Sequence, residues 1–208
     1  MLFLAILAAD PQPGPIKAFG DWVVACDNLH VCEMTSLFPS GGGDDDPADG
    51  AGFEDFAFSI ERQPGPGGGF AVEASPYGEV EGAVTIRVDG KIVASGTFAG
   101  DGLRLTGAAA DRIVAAAANG RQLTLHDAAG DAIGRASLAG ASAALRFIDA
   151  EQGRAGSVTA AVAKGSKPAS AVPDAIAGPV VRFVRPSGAA ARVSDAMRTA
   201  MNEISECG

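Results

Sequence analysis

Val84-Thr85-Ile86-Arg87-Val88-Asp89-Gly90-Lys91-Ile92-Val93-Ala94 decides the fold class. Two runs rich in β-branched residues flank Asp89-Gly90, a pair suited to the positive φ angles of a two-residue hairpin turn, so the stretch predicts two antiparallel strands. Upstream, Gly20 to Cys26 and Val31 to Thr35 have strand-like aromatic and β-branched content, with the domain beginning at Phe19. Phe56 to Glu61 and Phe70 to Ala74 follow, separated by the Gly and Pro tract 64–69, and residues 39–52 are a loop by composition. Downstream come a short strand at Leu103 to Leu105, then Thr106 as N-cap of an Ala-rich helix through Ala118, stopped by Asn119-Gly120. Gln122 to His126 and Ala132 to Ala136 form a second hairpin around Ala129-Gly130. Ser137 caps a helix whose Leu138, Ala141, Leu145 and Ile148 share one face, with Gly153 as its stop. Residues 157–162 read equally as strand or helix. The expected class is α+β and β-rich: a β-sandwich or rolled antiparallel sheet with two helices packed at one end.

The 208 residues divide into a signal-peptide-like lead-in (1–16), a β-rich domain (17–165) and a linker with the start of a truncated C-terminal portion (166–208). Met1 to Ala9 is uninterrupted apolar and ends in small residues, like the core and cleavage end of a secretory signal. It has no preceding positive charge, so the signal looks incomplete, and it is far short of the roughly 20 residues of a membrane-spanning helix. No transmembrane span is expected; the expected location is periplasmic or secreted. Net charge is −9, concentrated in residues 1–80, which hold 13 acidic and 2 basic side chains. Such a chain is a poor match for a phosphate backbone, so nucleic acid is disfavoured as a partner.

Cys26 and Cys32 flank a short turn between apolar runs and lie within reach of a disulfide, worth about 2.4 kcal/mol for so short a loop. The competing reading is a metal site of Cys26, His30 and Cys32, which lacks a fourth ligand and the paired short spacing of structural zinc sites. The disulfide is favoured, and neither a metal nor a cofactor is expected. Cys207 has no local partner.

No catalytic set assembles along the chain. Gly140-Ala141-Ser142-Ala143-Ala144 approaches a nucleophile elbow but lacks the last Gly, and no His follows residue 126. Asp44, Asp45, Asp46 and Asp49 fail the spacing of an EF-hand calcium loop. Glu61, Glu73, Glu79 and Glu81 offer carboxylates for glycoside hydrolysis, although their positions suit polar strand faces and turns. His30 and His126 read as surface or internally satisfied side chains, and Arg146, Asp149, Glu151 and Arg154 as a locally paired helix face.

Two passages, Phe19 to Cys32 and Ala136 to Pro173, resemble the family of exported Gram-negative proteins designated domain of unknown function 1176. The matching positions are Trp22, Cys26, Asp27, Asn28 and Cys32, then Ser137, Leu138, Gly140, Ala144, Leu145, Ile148, Asp149, Gln152, Arg154, Gly165 and Pro173. The first passage is also similar to invasion-associated locus B proteins, through its W-x-x-x-C start. The resemblance spans about residues 17–185 and implies an exported, β-rich fold; it carries no catalytic residues. Phe147 stands where the family suggests Trp, and the family implies a further cysteine-containing portion after Val184, which would leave Cys207 unpaired.

The expected function is a non-enzymatic envelope module that binds another macromolecule, most simply a protein. Asp27, Asn28 and His30 form its candidate surface, and Trp22, Leu138, Leu145, Ile148, Asp149 and Arg154 its framework. The alternatives are an envelope hydrolase using Glu61 or Glu73, and an inhibitor whose acidic half meets a basic cell-wall glycosidase.

Overall fold

In the computed structural model, which describes residues 16–37, 56–76, 80–99 and 102–178, the hairpin falls where its sequence places it. Strands β6 (Gly82–Val88) and β7 (Lys91–Phe98) pair antiparallel through Asp89 and Gly90, whose φ angles of 48° and 79° define the expected mirror-image turn. Val84, Ile86 and Val88 point inward at every second position. The Asp89 carboxylate accepts hydrogen bonds from the N–H groups of Arg121 and Gln122, tying the turn to β9 (Gln122–His126). With β10 (Ala132–Ser137) these strands form a four-stranded sheet in the order β10-β9-β6-β7.

The second sheet is larger. It orders β1 (Ile16–Phe19), β2 (Trp22–Cys26), β3 (Cys32–Ser36), β4 (Phe56–Arg62), β5 (Phe70–Pro76) and β8 (Leu103–Thr106), all antiparallel. Strand β1 is not among the expected strands; its four residues directly after Pro15 are too few for alternation to register. Alternation elsewhere sends Trp22, Val24, Met34, Phe58, Ile60 and Val72 into one core shared with Ile86, Leu123 and Leu125 of the smaller sheet. The two sheets and two helices bear out the β-rich α+β class.

Helix α1 (Gly107–Ala117) follows Thr106, which holds the N-cap position in an extended conformation without a side-chain capping bond. It packs on β5 and β8 and on the smaller sheet, whereas helix α2 (Ala141–Glu151) packs on β1, β2 and β3. The helices thus take opposite flanks of the larger sheet instead of sharing one end. Ser137 does not cap α2: it ends β10, and the helix begins after Gly140 at φ 93°. A Cβ at Gly140 would lie 1.8 Å from the Phe19 carbonyl oxygen, so this glycine permits a close approach of two chain segments. Leu138 accordingly enters the core from the turn before α2, while Ala141, Leu145 and Ile148 enter from the helix.

Residues 157–162 are neither strand nor helix; Ser157 makes an isolated bridge to Lys167. The described part of the stretch expected as linker, residues 166–178, holds a 3-10 turn at Ala169–Ala171 and a buried Val172, and the compact unit runs on to Ala177. Proline and alanine give such a segment the composition of a linker, and one well-placed valine anchors it. No described helix is long and apolar enough to cross a membrane. The apolar start, the acidic loop at 44–49 and Cys207 lie outside the described residues.

Candidate functional site: a cleft at the exit of helix α2

The last turn of α2 and the chain just beyond it deliver Asp149, Gln152 and Arg154 into the interior, where they meet Arg62 from the end of β4. The Arg62 Nη1 donates to Asp149 Oδ1 at 2.7 Å, and both side chains are 4% exposed. Arg62 also donates to the Thr159 carbonyl and lies with its guanidinium carbon 4.3 Å from the centre of the Phe70 ring. The other carboxylate oxygen of Asp149 accepts from the Ala161 N–H at 2.8 Å. Asp149 pairs directly with Arg62 and acts on Arg154 only through its charge, and Arg62 Nε has no hydrogen-bond partner among the described residues. Burial acts on all three charges: it pushes the Asp149 carboxyl up against the pull of Arg62, pushes Arg154 down, and with Arg154 nearby brings Arg62 down to about 10.

The network also builds walls. Arg154 is fully buried, and its Nη2 reaches the carbonyls of Gln63, Gly65 and Gly68, holding the β4–β5 loop in shape. Its Nε donates to Gln152 Oε1 at 3.0 Å, which fixes the Gln152 amide so that Nε2 donates to the carbonyls of His30 and Arg62. The β2–β3 loop is thereby clamped from below. The Cys26–Cys32 disulfide closes it at the base. Within it, Asp27 Oδ1 accepts from the N–H groups of Leu29 and Val31, each at 2.8 Å, and His30 is held at φ 61°.

Between these loops lies a cleft of about 240 Å³. Leu29 and His30 line it from the β2–β3 loop, Pro64 and Gly65 from the β4–β5 loop, residues 150–153 from the end of α2, and Pro173 and Asp174 from the tail. Lys167 closes the helix end below, donating to the Gly153 carbonyl at 2.8 Å.

Of the sequence-derived surface residues, His30 lines the cleft, Asn28 is exposed at the tip beside it, and Asp27 spends its carboxylate on the loop itself. The Cys26–Cys32 disulfide, the favoured pairing, excludes the competing Cys26, His30 and Cys32 metal reading. Trp22 is fully buried, and its Nε1 donates to the Ser137 carbonyl at 2.9 Å; Leu145 and Ile148 are fully buried too. Ser142 sits in the first turn of α2, and His126 is occupied by Thr124 Oγ1 and the Gly130 carbonyl. Glu61 and Glu73 do come together, but on the outer face of the larger sheet, where Arg104 pairs with both. Glu73 and Arg104 also border a second depression of about 260 Å³. One guanidinium thus offsets part of the charge of two carboxylates on a partly exposed strand face. Arg62 was missed, although a strand reading Phe58, Ile60, Arg62 on its inward face signals a buried guanidinium in need of a partner.

A family model described as "Protein of unknown function (DUF1176)" matches residues 16–206. The chain belongs to that family. The DUF1176 match takes in both passages that carried the resemblance, including Asp149, Gln152 and Arg154, the residues that organise the cleft. A curated relative, uncharacterized protein YpfG of Escherichia coli (strain K12), is 34% identical over 180 residues, which cover 82% of this chain and 48% of the relative. The chain thus spans about half the length of the curated relative it matches. The crystal structure of invasion associated protein B from Bartonella henselae is similar at a TM-score of 0.48 and 20% identity, covering 67% of this chain and 99% of that one.

Proposed function

We propose that this chain is an exported, non-enzymatic binding module of the cell envelope, which engages a protein partner through the β2–β3 loop and the adjoining cleft. The observation that carries this reading is the way the loop is held. A disulfide, an Asp27 side chain bonded to two loop N–H groups, and the Gln152 clamp on His30 fix an exposed segment in one shape before any partner arrives. Such pre-organisation lowers the ordering cost of association, and a surface loop on a rigid scaffold is a common place for recognition. The disulfide supports export, because such bonds persist chiefly in oxidising compartments.

The test places a photo-crosslinking residue at Asn28 or His30 in the full chain expressed in its native host, with Ile92, 61% exposed on the β6–β7 hairpin, as the control site. The expected result is a discrete protein adduct from positions 28 and 30 that is absent from position 92, recovered in the periplasmic fraction. Adducts identical from all three positions, or none from 28 and 30, would overturn the reading.

A further inference from the structure

Resting on that binding reading, we propose that the cleft at the exit of α2 receives a lysine or arginine side chain of the partner protein. Glu151 and Asp174 line the cleft from two different elements, and neither carboxylate has a hydrogen bond or ion pair among the described residues. Three cations of the surrounding network are engaged elsewhere. Lys167 turns to the Gly153 carbonyl, and Arg62 and Arg154 are sealed beneath the floor on Asp149 and the loop carbonyls. The C-terminal end of α2 adds the negative pole of its dipole at the same place. Pro64, Pro173 and Leu29 supply the apolar part of the lining. A cleft lined by apolar side chains and two acidic residues suits a cationic head carried on an aliphatic stem, since the stem packs while the head pairs. A neutral chain would leave two carboxylates unanswered, and an anion would be repelled by them.

The probes are acetyl-glycyl-lysyl-glycinamide, its arginine counterpart and its norleucine counterpart, titrated into the isotope-labelled full chain and followed by amide chemical shifts. The lysine and arginine peptides are expected to give saturable shifts at Leu29, His30, Gly65, Gly153 and Asp174, and the norleucine peptide none. Asp174→Asn alone and with Glu151→Gln should weaken binding by about threefold and about tenfold, while shifts elsewhere confirm an unchanged fold. Raising the salt from about 0.05 M to about 0.5 M should weaken it further in the same direction. Norleucine shifting the same amides, titrations that never saturate, or an unchanged affinity in Asp174→Asn would overturn the assignment. Putrescine binding as tightly as the peptides would do so as well, by making a free diamine the ligand. Crosslinks at Asn28 and His30 without peptide binding would remove this inference alone; peptide binding without crosslinks would remove the partner surface and leave the cation site.

Discussion

Two trios of charged side chains in this protein use the same chemistry in opposite surroundings. Arg62, Asp149 and Arg154 lie in the interior, two cations to one anion; Arg104, Glu61 and Glu73 lie on the outer face of the larger sheet, one cation to two anions. Arg104 is half exposed and its pairs compete with water, so they are worth little. The buried trio lacks that alternative. Its groups must turn to protein partners, and those of Arg154 include loop carbonyls that become the walls of a cleft. Burial, more than charge, turns one trio into a shape-giving device.

The comparison breaks most sharply at Asp149. Asp149→Ala leaves two buried guanidiniums without an anion and should lower stability by about 3–5 kcal/mol, read as a fall in the urea midpoint by circular dichroism. Replacing both partners, Arg62→Met with Asp149→Leu, should cost less, about 1–3 kcal/mol, since the Thr159 carbonyl and the Ala161 N–H lose their partners and Arg154 loses its anion but keeps Gln152 and the loop carbonyls. A double variant no better than Asp149→Ala would show that the network matters for more than its charges. Gln152→Ala should cost about 1–2 kcal/mol and raise amide hydrogen exchange at Leu29 to Val31 specifically, because it releases the His30 carbonyl. At the small end, Arg104→Ala should change stability by less than about 1 kcal/mol, and that difference should vanish in about 1 M salt. An Arg104 effect as large as that of Asp149 would refute the distinction between the two trios.

Much of this was legible in the amino-acid sequence. The Asp89-Gly90 turn, the alternation of Val84, Ile86 and Val88, and the shared face of Ala141, Leu145 and Ile148 in α2 are local signals, and local signals survive folding. Cys26 and Cys32 were close enough in the chain for their bond to be foreseen. The missed start of α2 turns on Gly140, whose backbone angle answers to the carbonyl of Phe19, more than a hundred residues away in the chain. The cleft was legible only in fragments. His30, Asp149 and Arg154 were singled out separately, His30 for its turn and the other two for a locally paired helix face. Arg154 instead spans to residues 63–68, and Asp149 to Arg62. Pairings across such distances follow from how β4 and α2 pack, which no short window of sequence contains.

Trp22 is the chain's single tryptophan, wholly buried, with its indole N–H on the carbonyl that ends β10 just ahead of α2. Its fluorescence is therefore a built-in gauge of whether that junction is docked. Emission shifting to the red before the β-sheet signal is lost would mean that the helix, and with it the floor of the cleft, lets go first. A single shared transition would mean that cleft and sheets stand or fall as one cooperative unit.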